Sequence, residues 1–73
     1  MALVNVEAQM AGSVMEVLVA VGDAVGKEQE LLILESMKME IPVESPSAGT
    51  VSEICVTKGE AIEEGAVLMR IEA

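Results

Sequence analysis

The residues best placed to do chemistry in this chain sit together at its midpoint. They are Glu35-Ser36-Met37-Lys38-Met39-Glu40, between the apolar run 31–34 and Ile41-Pro42-Val43. Lys38 offers a primary amine, which can be acylated or form a Schiff base. Glu35 and Glu40 are carboxylates that could pair as acid and base. The rest of the chain narrows these options. Histidine is absent, and with it the commonest general base and the usual metal ligand. The single cysteine, Cys55, can form neither an internal disulfide nor a zinc site. At 73 residues the chain is one small domain, 1–73, too short to house a multi-residue pocket. Without a pocket there is nothing to desolvate a Schiff-base lysine, and Glu35 and Glu40 read as strand-end charges. What remains is an amine held out for other proteins, beside the plainer reading of a hairpin lysine kept for solubility. Lys27 and Lys58 lie in Gly-flanked turns with no Met neighbours and read as surface charges.

Composition fixes the scaffold around that amine. There is no Phe, Tyr or Trp, so eleven Val, five Ile and six Leu must build the core, with six Met to fill gaps. That β-branched excess favours strands and an all-β fold. Met10, Met15 and Met69 read as core or rim packing, and Cys55 as a structural residue in an alternating strand. Thirteen acidic residues against four basic ones give a net charge of -9. Such a surface repels nucleic acid and anionic membranes, and there is no aromatic on which a base could stack. No run approaches the roughly 18–20 apolar residues of a membrane span, and the N-terminus lacks the pattern of a secretion signal. The expectation is a soluble, cytoplasmic, free-standing protein that is a monomer when isolated.

The chain repeats itself. Residues 11–36 lie over 48–73 without a gap at a shift of 37, with nine of 26 pairs identical, among them Gly12/Gly49, Val14/Val51, Gly22/Gly59 and Leu31/Leu68. Two half-repeats, about 2–36 and 39–73, follow, related by a pseudo-twofold axis. Each carries a strand (about 2–8; 39–44), a longer one (about 13–19; 50–56), a Gly-acid turn at Gly22-Asp23 or Gly59-Glu60, a short apolar piece (24–25; 61–62), a turn with Gly26-Lys27 or Glu64-Gly65, and a last strand (about 30–35; 67–72). Pro42 donates no ladder bond, which places its strand at an edge or leaves that position unbonded. The two units should cover each other's apolar faces as a flattened barrel or sandwich. Under the shift Lys38 falls over Met1, so the mid-chain linker lies at one end of the molecule and both termini at the other.

That linker breaks a local rule. A tight hairpin there puts Met37 and Lys38 at its tip, where two-residue loops need φ > 0 and favour Asn-Gly or Gly pairs. This chain uses glycine in its other turns and not here. A local rule broken in an otherwise consistent sequence points to a functional site. Two methionines at a loop tip also expose apolar surface, which another protein can read.

The run Glu35-Ser36-Met37-Lys38-Met39-Glu40 resembles the Met-Lys-Met motif of biotinyl/lipoyl attachment domains. The duplicated halves, the Gly22-Asp23 turn and the Ser45-Pro46…Gly49 segment resemble that family too, over essentially the whole chain. The resemblance implies a barrel-sandwich hybrid of two four-stranded antiparallel sheets, with Gly12, Gly22, Gly49 and Gly59 holding turns. It implies that Lys38 is the residue to which a biotin protein ligase joins biotin. Met37 and Met39 would be read by the ligase and partners, with Glu35, Ser36 and Glu40 as further recognition residues. It also implies a non-catalytic carrier whose biotin collects carboxyl groups at a biotin carboxylase and delivers them at a carboxyltransferase.

Departures from the family pattern qualify that picture. Ser36 stands where the family often has Ala. The segments Val19–Asp23 and Val56–Glu60 are equally long, so the chain has no inserted thumb. Lipoyl domains usually carry Asp before and Ala after their lysine, so Met37 and Met39 favour biotin. Small members with Glu-Ser-Met-Lys-Met-Glu are described as biotin/lipoyl attachment proteins, which keeps lipoate as the alternative cofactor.

Overall fold

A computed structural model describes residues 2–73; the position over which Lys38 falls in the repeat, Met1, lies outside them. The described residues form eight strands and no helix: β1 (Leu3–Glu7), β2 (Gly12–Val17), β3 (Ala24–Val25), β4 (Glu30–Ser36), β5 (Met39–Glu44), β6 (Gly49–Ile54), β7 (Ala61–Ile62) and β8 (Val67–Glu72). They make two four-stranded antiparallel sheets, ordered β1-β8-β6-β3 and β5-β4-β2-β7. The arrangement is a sandwich and not a closed barrel. Each sheet draws two strands from each half of the chain, so the repeats interleave where side-by-side covering was expected. Neither half owns a sheet.

The symmetry extends to individual hydrogen bonds. Gly22 N–H donates to Val51 O at 2.8 Å, and Gly59 N–H donates to Val14 O at 2.7 Å. Asp23 Oδ2 accepts from Ala20 N–H at 2.9 Å, and Glu60 Oε1 accepts from Thr57 N–H at 3.1 Å, so the acid of each Gly-acid pair closes its own turn. Gly22 and Gly59 adopt φ 95° and 89°. No atom crowds either one, so the left-handed backbone alone requires glycine there. In the second turn the requirement falls elsewhere than expected. Glu28, and not Gly26, takes the positive φ of 69°, matching Gly65 at 87° in the other half. Glu28 N–H bonds Ser45 O just as Gly65 N–H bonds Ala8 O, and that shared bond sets the conformation.

The core is aliphatic, as the composition requires. Leu31, Leu32 and Leu34 of β4 and their counterparts Leu68, Met69 and Ile71 of β8 are almost fully buried, with Val6, Val14, Val25, Val51 and Ile62 around them. Adjacent residues 31 and 32 are both buried because β4 carries a register shift between Glu30 and Leu32, which turns one residue out of strict alternation. Met69 packs in this core, Met15 is half-buried, and Met10 is exposed. Cys55 departs from expectation. It lies one residue beyond β6 with an exposed thiol, so it is not a core residue. Pro42 sits in β5, at a sheet edge as its missing N–H demands. No helix of the described residues is long and apolar enough to cross a membrane.

Candidate functional site

β4 and β5 form the mid-chain hairpin, paired Leu34↔Ile41, Glu35↔Glu40 and Ser36↔Met39. Only Met37 and Lys38 remain to turn the chain. Both take positive φ, 54° and 65°, the backbone of the two-residue turn that matches strand twist and that Asn-Gly normally supplies. For L-residues each such conformation costs roughly 1–2 kcal/mol. The strands on either side hold it in place, since β4 is anchored by three buried leucines and flanked by both β5 and β2.

Side chains at the tip point away from the protein. Met37 is 89% exposed and Met39 59%, the former the most exposed large apolar side chain among the described residues. Lys38 is exposed, and its amine enters no hydrogen bond or ion pair among the described residues. The ion pair that does form among them joins Arg70 Nη1 to Glu53 in the other sheet. Glu35 and Glu40 face each other across the base of the hairpin, both exposed. Like charges directly opposite are unfavourable by up to about 1 kcal/mol. Ser36 is half-buried, and it closes the hairpin opposite Met39. All six residues singled out from sequence are therefore brought together at one end, with nothing enclosing the amine. An open tip cannot position a substrate for chemistry, but it can enter another protein's site.

One contributor to the site was misassigned by sequence reasoning. Gly12, expected in a turn, is the first residue of β2 and lies under the hairpin base. A Cβ there would come 2.5 Å from Glu35 O and 3.4 Å from Ser36 Cβ. Its counterpart Gly49, likewise in a strand, would meet Glu72 O and, at 2.8 Å, Ile71 Cγ2. Both glycines permit close strand approach, not turning. Their identity within the repeat was the available signal, though it could not tell these two roles apart.

The opposite end carries the termini. Ala2 and Ala73 bond each other, Ala73 N–H to Ala2 O at 2.9 Å. β3 ties that end to β6 through Val25↔Gly49, and Ser45 and Gln29, at the far end of the β4–β5 hairpin from the tip, bond there as well. The molecule is elongated, 36 × 18 × 17 Å, so the tip stands clear of the paired Ala2 and Ala73.

Residues 4–71 match the family described as "Biotin-requiring enzyme". A biotin/lipoyl attachment protein of Bacillus subtilis is 44% identical over 92% of both chains. A biotinylated protein TB7.3 homolog of Mycobacterium leprae is 56% identical over 53% of this chain, and the match spans 55% of that relative. Among solved structures, the Kluyveromyces lactis urea carboxylase aligns over 99% of this chain with a TM-score of 0.93 and 26% identity, using 6% of its own length. A single-chain, multi-domain long-chain acyl-CoA carboxylase aligns over 97% with a TM-score of 0.87 and 29% identity, using 7% of its length.

Proposed function

We propose, on the premise that this chain belongs to the biotin/lipoyl attachment family, that Lys38 is the residue to which biotin is joined. The observation that carries this reading is the two-residue turn. A non-glycine pair at φ 54° and 65° holds one unpaired amine between two exposed methionines at the far end of a rigid sandwich. In that setting Lys38 Nζ, deprotonated, attacks the activated carboxyl carbon of biotin supplied by a ligase. The activating group leaves, an amide forms, and the protein's formal charge falls by one from -9. Four methylenes and the valeryl chain then make an arm of roughly a dozen ångströms. The ureido ring supplies the carboxyl-transfer chemistry; this chain supplies presentation.

The partners in this proposal are a biotin protein ligase, a biotin carboxylase and a carboxyltransferase. Carboxylases among the structural neighbours contain the same fold within far longer chains, which supports such partners. Tethering one biotin on the flexible lysine arm raises its local concentration at each partner, to about millimolar for short links. A cytoplasmic setting suits the free, exposed thiol of Cys55. The charge of -9 and the proline in the β5 edge support a monomer.

Lipoate is the second reading, supported by the name of the Bacillus subtilis relative, which covers both groups. Intact mass of the protein from cells that hold both ligases separates the readings, because biotin and lipoate add different masses and a bare scaffold gains none. A biotin-sized increment on the peptide containing Lys38 is expected. No increment, or one on Lys27 or Lys58, contradicts the proposal.

A further inference from the structure

Beyond the tip, one side of the molecule is open between two long edge strands. β1 and β5 are the edge strands of opposite sheets, each paired on one side only, to β8 and β4. Between them runs a groove of about 530 Å³, whose floor and walls include Val6, Leu34, Ile41 and Val43. Its lining is nearly self-symmetric under the 37-residue shift: Asn5 with Pro42, Val6 with Val43, Glu7 with Glu44. Two carboxylates, Glu7 and Glu44, therefore stand at related positions on the rim, and no Lys or Arg lines the groove. The nearby cation Arg70 is committed to Glu53 and to Asn5 Oδ1. The lining residues Ile41 and Val43 share one face of β5 with Met39, at the tip end of that strand.

We propose that this groove binds an extended segment of a partner protein in which apolar residues alternate with Lys or Arg. Alternation matches the geometry: the apolar side chains enter the floor while the cations meet Glu7 and Glu44. β1 supplies the backbone ladder, because it is free of proline, whereas Pro42 removes a donor from β5. Occupation holds the domain by its flank and leaves Lys38 free to move. The groove's chemistry does not depend on what Lys38 carries, so this proposal and the carrier reading stand or fall separately.

The test is a titration of methyl-labelled, unmodified protein, followed by NMR, with an acetylated and amidated Lys-Val-Lys-Val-Lys peptide. Saturable shifts of the Val6, Leu34, Ile41 and Val43 methyls are expected, with little change from a Glu-Val-Glu-Val-Glu peptide or a lysine pentamer. The double variant Glu7→Lys/Glu44→Lys should weaken binding at least tenfold at an unchanged thermal midpoint. Should that variant fold poorly, Glu7→Gln/Glu44→Gln should weaken it at least threefold. The idea is overturned by absent shifts, by equal shifts from the lysine pentamer, by shifts centred on the tip, or by acid-replaced variants that bind as well as the parent.

Discussion

Met37 and Lys38 combine two burdens that a merely structural hairpin would shed, left-handed backbone and exposed apolar surface. Met37→Gly removes both at position 37 and leaves Lys38 at φ 65°. Relief of roughly 1–2 kcal/mol of left-handed strain, less roughly 0.5–1 kcal/mol for glycine's added freedom, should raise stability by up to about 1.5 kcal/mol, visible as a higher urea midpoint at unchanged slope. The same change should lower the ligase's kcat/KM by about tenfold, the effect of losing one well-buried contact with a partner. A glycine variant that is both more stable and equally well labelled would show that the methionine is not read. This site was legible in the sequence because a rule was visibly broken at 37–38. Glu28 was not, because Gly26, two residues earlier, drew the turn to itself, and the hydrogen bond to Ser45 that sets its φ of 69° is a tertiary fact.

At the level of strands, the hairpin's position depends on how closely β2 approaches β4. Gly12 and Gly49 make equivalent approaches at opposite ends, against Glu35 O and Glu72 O. Gly12→Ala and Gly49→Ala should therefore each cost about 1–3 kcal/mol, read as similar falls in the urea midpoint. Only Gly12→Ala should also slow ligase labelling under conditions where the variant stays folded, since only Gly12 lies beneath the tip. Equal labelling of the two variants would remove any positioning role for Gly12. Strand existence and order along the chain were plain from the alternation of Val and Ile, and no strand end shifted by more than two residues. β6 stops at Ile54, short of the expected 56, and this leaves Cys55 outside the strand and exposed, beside the ion-paired Arg70. Exposure there depends on that tertiary neighbour and on the next strand's path, neither of which local pattern contains.

Across the whole molecule, self-similarity announced two copies and a linker placed opposite the termini, but not which strands would pair. Side-by-side and interleaved arrangements bury the same alternating faces, so the hydrophobic pattern cannot choose between them. Interleaving makes the core a shared one, with Leu31 and Leu68 at matching, fully buried positions in different sheets. Leu31→Ala and Leu68→Ala should each cost about 2–5 kcal/mol, a large share of the roughly 4–11 kcal/mol available to a domain of this size. Both should lower one cooperative transition by similar amounts, by circular dichroism; two separate transitions would mean that the halves fold alone. The same rigidity lets a substitution at the tip be judged without concern for the fold. Lys38→Arg keeps the charge and changes only the nucleophile, so intact mass after expression with a biotin ligase tests the central claim directly. The parent protein should gain the mass of one biotinyl group, and Lys38→Arg, with an unchanged thermal midpoint, should gain none. A folded Lys38→Arg variant that still acquires that mass contradicts the assignment of the tip lysine.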